Sequence, residues 1–137
     1  MSVIPCPPGE ELKRIMAEQP SPDEIEERLQ RGLAYKIEGN YEAAEQEFRA
    51  VLDAVPDSAP AHHQLGLVFG FTGLFDESLE ELKRSVELDA TSLQARNDLA
   101  LTYTMLGMLD EAKREFEAVL ELDPTNPVAQ RNMVYFQ

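Results

Sequence analysis

The sequence predicts an all-α protein, a stack of antiparallel helix pairs forming an α-solenoid, and three observations carry that prediction. Gly39, Gly73 and Gly107 lie 34 residues apart, each closing one apolar helical pattern and opening another. A fixed period of that length marks stacked repeats. The same offset relates positions outside the turns: Gly32, Gly66 and Ala100; Tyr35, Phe69 and Tyr103; Tyr41, Phe75 and Leu109; Ala44, Ser78 and Ala112; Phe48, Leu82 and Phe116; Val51, Ser85 and Val119. Small residues align with small and large with large, as packed helices require where their backbones approach or diverge. Finally, 137 residues suffice for one continuous core, since a chain of this size buries about two-thirds of its unfolded surface.

Taken in order, residues 1–8 are rich in proline and predict an extended or disordered tail. Residues 9–19 form a short amphipathic helix, with Leu12, Ile15 and Met16 on one stripe and Glu10, Glu11, Lys13, Arg14 and Glu18 off it. Pro20-Ser21-Pro22-Asp23-Glu24 reads as a break and a helix start, with Ser21 as cap, Pro22 at the first helical position and Glu24 completing a capping box. The repeats occupy 24–126, as units 25–58, 59–92 and 93–126. Their first helices are expected at 24–38, 59–72 and 93–106, each ending near the glycine that permits a left-handed turn. Second helices are expected at 42–55, 76–89 and 110–122, and a capping helix at 127–137, where Ala129 and Met133 cover the last unit.

The residues of each unit resemble the tetratricopeptide repeat (TPR) family. The first reads Arg28, Arg31, Gly32, Tyr35, Ala44, Phe48, Pro56; the second His62, Leu65, Gly66, Phe69, Ser78, Leu82; the third Arg96, Leu99, Ala100, Tyr103, Ala112, Phe116, Pro124. Ala90 stands where the second unit's closing proline belongs, which predicts that this helix runs on toward the next unit. The resemblance implies a right-handed superhelix whose concave groove, lined by first helices, binds a partner protein. In the family's groove-facing slots this chain has Glu26, Leu29, Leu33, Lys36 and Ile37, then His63, Leu67, Gly70 and Phe71. The third unit supplies Gln94, Asn97, Leu101, Thr104 and Met105, and the terminal helix Arg131 and Tyr135. Many of these are apolar, and Lys36, His63, Asn97 and Arg131 are the candidate polar anchors.

One TPR subclass holds the acidic C-terminus of heat-shock chaperones in a clamp of Lys, Asn and Arg side chains. The corresponding slots here contain Leu29, Leu33, Gln64, Gln94 and Asp98. They offer no cation, and Asp98 repels a carboxylate, so the expected partner is a protein or peptide segment that is apolar or mildly basic.

Acidic residues outnumber Lys plus Arg by 26 to 12, for a net charge of −14, which disfavours phosphate backbones and anionic lipid. Runs such as Asp76-Glu77 and Asp110-Glu111 suit a solvated outer face and helix starts. No stretch is long and apolar enough to span a bilayer. The first residues lack a basic leader and an apolar run before Cys6, arguing against a signal peptide or lipoprotein anchor. A lone cysteine forms no intrachain disulfide, and the expected location is the cytoplasm.

His62 and His63 are adjacent, so on a helix they project about a third of a turn apart and do not chelate together. No nucleophile–base set or phosphate-cradling loop is present. The expectation is therefore no enzyme activity, no metal and no cofactor. Beside a scaffold that binds a segment in an apolar groove, two further readings stand. One is homo-oligomerisation through the terminal helix and its Val128, Val134, Tyr135 and Phe136. The other is self-inhibition, with Leu12, Ile15 and Met16 folded into the chain's own groove.

Overall fold

A computed structural model describes residues 9–136, leaving out the side chains of residues 15–17. The tail at 1–8, with Cys6, and the side chains of Ile15 and Met16 lie outside the described residues. The chain runs α1 (Gly9–Glu18), α2 (Pro22–Glu38), α3 (Tyr41–Ala54), α4 (Ala59–Phe71), α5 (Phe75–Leu88), α6 (Leu93–Met105), α7 (Leu109–Leu122) and α8 (Pro127–Met133), then a 3-10 turn at Val134–Phe136. Helices α2 and α3, α4 and α5, and α6 and α7 form the three pairs. Each second helix also packs on the next first helix, α4 touches both α2 and α6, and α8 lies on α7.

Local chemistry sets the helix ends. Gly39, Gly73 and Gly107 have φ of 83°, 82° and 76°, a conformation that side chains on Cβ disfavour. At the first turn the Gly39 amide bonds the Lys36 carbonyl and the Asn40 amide that of Tyr35, at 3.0 and 2.8 Å. Ser21, Asn40, Ser58, Ser92 and Asn126 cap α2, α3, α4, α6 and α8 by accepting from the amide three residues on. Helices α5 and α7 lack a side-chain cap and begin instead with Asp76, Glu77 and Asp110, Glu111, whose charge complements the helix dipole. Because each glycine turn is so short, the second helices begin one residue earlier than expected.

Two expectations are corrected. Helix α5 does not run on past Ala90: it stops at Leu88, in register with Ala54 and Leu122. A side-chain turn closes the helix without a proline, with the Asp89 carboxylate accepting from the Thr91 amide at 3.2 Å and hydroxyl at 2.8 Å. Asp123 and Thr125 form the same turn one unit later. The capping helix also ends early, at Met133, and the tighter turn that follows returns Phe136 to the core, 6.2 Å from the Phe116 ring.

The core obeys the small-against-large rule. A Cβ on Gly32 would lie 2.5 Å from the Phe48 ring, and one on Gly66 would lie 2.8 Å from Leu82 Cγ. Phe48 and Phe116 are fully buried and Leu82 nearly so. Ser78 and Ser85, which break the apolar register, are also buried. Their hydroxyls donate to the carbonyls of Gly66 at 2.7 Å and Ala59 at 3.0 Å, so neither hydroxyl is stranded.

Candidate functional site

The first helices α2, α4 and α6 lie side by side, and the expected groove residues fall into three groups along them. Leu29 and Leu33 are half-buried against the Phe48–Leu65 core and serve packing. His63 and Asn97, expected as polar anchors facing a partner, are each only 7% exposed. His63 Nε2 lies 2.7 Å from Asp98 Oδ2 on the neighbouring helix. The Asn97 amide donates to Asn126 Oδ1 at 3.1 Å, while its own buried Oδ1 has no partner. These two side chains tie neighbouring elements together, and His63 also lines a cavity of about 240 Å³ with Gln64 and Gln94.

Lys36 is half-buried, and its ammonium donates to Gln64 Oε1 across the α2–α4 seam. Burial lowers its pKa below the usual 10.5, and the nearby Asp98 carboxylate offsets part of that shift. With Gln64 and Asp98 so engaged, two of the slots used by the acidic-peptide clamp already have partners within the fold.

Leu67, Phe71, Leu101 and Met105 are brought together. They line a cavity of about 300 Å³ between α4 and α6, together with Asp98 and Phe75. Phe71 is 60% and Met105 63% exposed, unusual for large apolar side chains set so close. Ile37 and Tyr135 are more exposed still, at 83% and 81%. Tyr135 lies outside this cavity: it lines a second one of about 300 Å³ with Thr104, Leu109, Asn132 and Phe136. Arg131 is exposed and lines neither.

Reasoning from groove slots missed Phe75 and Leu109, because both open second helices. Their signal was present in the 34-residue alignment of Tyr41, Phe75 and Leu109, which reads equally as packing. Tyr41 shows what the position does: its ring stacks on Phe71 at 5.6 Å and 22°.

His62 and His63 bind separate carboxylates, Glu81 at 2.6 Å and Asp98 at 2.7 Å. His62 Nε2 also lies 2.8 Å from the Pro56 carbonyl. Arg28 with Glu47, and Arg96 with Glu115, occupy the equivalent positions of the outer units, so His62 belongs to a repeated structural pair. No helix among the described residues is long and apolar enough to cross a membrane.

Comparison with known proteins gives consistent relationships. The first TPR of Spaghetti (RPAP3), solved with the HSP90 peptide SRMEEVD, superposes with a TM-score of 0.80 at 21% identity, over 86% of this chain and 94% of that one. The second TPR domain of human RPAP3, in complex with the HSP70 peptide SGPTIEEVD, gives 0.74 at 26% identity, over 79% and 90%. The type III secretion translocator chaperone SycD of Yersinia enterocolitica gives 0.73 at 19% identity, over 84% and 87%. No curated protein sequence matches the chain significantly. Tetratricopeptide-repeat family models match residues 28–58 and 72–134, the helix pairs stack as an all-α right-handed solenoid, and the chain belongs to the tetratricopeptide repeat family.

Proposed function

We propose that the protein is an interaction adaptor that takes a segment of a partner protein on its apolar concave face, with no catalytic role. The observation that carries this is the pair Phe71 and Met105, 60% and 63% exposed, which line a cavity of about 300 Å³ with Leu67 and Leu101. Exposing so much apolar side chain in one place costs solubility unless something covers it. The partner segment is apolar or mildly basic. The HSP90 and HSP70 peptides held by the RPAP3 domains end in the acidic sequence EEVD, whereas here Asp98 borders the cavity and the net charge is −14.

Self-association through the terminal helix has less support, because two of its four apolar residues, Val128 and Phe136, are packed against the last unit, leaving Val134 and Tyr135 exposed. The self-inhibited reading has little more, since Leu12 on α1 is 49% exposed. The lone Cys6 and the lack of a membrane-crossing helix among the described residues accord with work in the cytoplasm.

The test is the double variant Phe71→Glu with Met105→Glu. Both side chains are exposed, so helicity by circular dichroism is retained while proteins captured by the wild type from native lysate are lost. Capture of the same partners by the folded variant would place binding elsewhere.

A further inference from the structure

The two apolar cavities are the same site built twice. Moving back one 34-residue period from the residues around the second cavity, Leu109 falls on Phe75, Tyr135 on Leu101 and Asn132 on Asp98. Thr104 and Phe136 fall likewise on Gly70 and Thr102, so all five positions recur in the first cavity. Each cavity has a volume of about 300 Å³. One period further back the site is closed. There Tyr41 stacks on Phe71 at 5.6 Å, and Lys36 bonds Gln64. Two open notches therefore stand one repeat apart, between α4 and α6 and between α6 and α8.

Their surroundings are mainly acidic, with Arg131 in the last turn of α8 and Lys36 near Asp98 as the neighbouring cations. Phe75 and Leu109, which wall the notches, are each followed by two acids, Asp76 and Glu77 or Asp110 and Glu111. Helices α4 and α6 have no basic residue in the last turn, and Asp98 lines the first notch. A ligand must therefore present two large apolar groups on one face, separated by one helix-to-helix spacing of about 10 Å, with positive charge around them.

Few peptide conformations satisfy that spacing. In a β-strand, residues on one face are separated by about 6.6 or 13 Å, because side chains alternate. In an α-helix, residues seven apart return to one face after about 10.5 Å. We infer that the two notches take a pair of large apolar side chains, seven residues apart, from a basic amphipathic helix of a partner protein. This rests on the proposed adaptor role and specifies its ligand.

The experiment uses synthetic, fluorescently labelled helical peptides rich in Ala, Lys and Arg, with two Leu placed seven residues apart, and follows binding to the full chain by anisotropy. Three controls place the Leu pair four apart, replace the basic residues by Glu, or set the Leu three apart in a polyproline frame, whose repeat of about 9 Å is the nearest competitor. The seven-spaced basic helix should bind at least about tenfold more tightly than each control. Met105→Ala and Tyr135→Ala, which alter one exposed side chain in each notch's neighbourhood, should each weaken it about tenfold or more with unchanged helicity.

Equal binding of the four-spaced peptide, tighter binding of the polyproline or acidic peptide, no binding of the seven-spaced helix, or indifference to both substitutions would overturn the inference. Loss of natural partners from the Phe71→Glu, Met105→Glu variant would then still support the adaptor role, so the two ideas fail separately.

Discussion

His63 on α4 and Asp98 on α6 meet at 2.7 Å across neighbouring repeats, with the imidazole 7% exposed. The contact turns an acid in a ligand-facing register into a structural partner and links the second and third units. Asp98→Ala strands the buried ring and should cost about 1–3 kcal/mol in urea unfolding. In a double-mutant cycle with His63→Ala, the two single losses should exceed the loss in the double variant by about 1 kcal/mol. Strict additivity would mean that the pair is not coupled.

Gly66 and Gly70 lie one turn apart on α4 and should respond oppositely to alanine. A Cβ at Gly66 meets Leu82 Cγ at 2.8 Å and its backbone nitrogen at 3.3 Å, whereas one at Gly70 meets only Ser78 Oγ at 3.5 Å. Gly66→Ala should destabilise by about 1–3 kcal/mol, and Gly70→Ala should stabilise by up to about 1 kcal/mol through helix propensity. Thermal unfolding of the two variants checks the contrast.

Much of this fold is written in residue sizes. The alignment of Gly32, Gly66 and Ala100 against Phe48, Leu82 and Phe116 predicts helix pairs because only a small residue fits where these side chains press. The site is less legible. His63, Asn97 and Lys36 occupy groove registers, yet each turns to a neighbour at residue 98, 126 or 64. Such pairings depend on the lateral offset between helices, which periodicity along one helix does not encode. The apolar quartet Leu67, Phe71, Leu101 and Met105 was legible because period and residue type coincide. Phe75 and Leu109 were not, since a helix start reads the same whether it faces a core or a notch.

The end of α5 offers a third test. Asp89 has φ −142° and ψ 89°, close to Val55 at −132° and 83° and Asp123 at −145° and 93°. Val55 and Asp123 precede proline, and Asp89 precedes Ala90. The backbone thus already has the extended form that proline imposes on its predecessor. Ala90→Pro should stabilise by about 0.4–1 kcal/mol by restricting the unfolded chain, and a lower melting temperature would contradict it.

Lys36 predicts a pH dependence of definite sign. Its folded pKa lies below 10.5 because burial disfavours the charged form. Just below 10.5 the unfolded chain therefore binds more protons than the folded one, and the contribution of this residue to stability rises with pH through that window. Below the window the cost of burying the ammonium is fully present. Lys36→Met should remove the rise, as measured by urea midpoints at alkaline pH. An unchanged slope would assign it to other groups.

On the proposed function, the apolar surface at Phe71 and Met105 selects apolar and basic segments. A random peptide library selected in parallel against the wild type and the folded Phe71→Glu, Met105→Glu variant tests it most directly. The wild-type pool should be enriched in large apolar residues and Lys or Arg, and the variant's pool should lack that enrichment. Enrichment of acidic C-terminal sequences, or the same pool from both proteins, would contradict it.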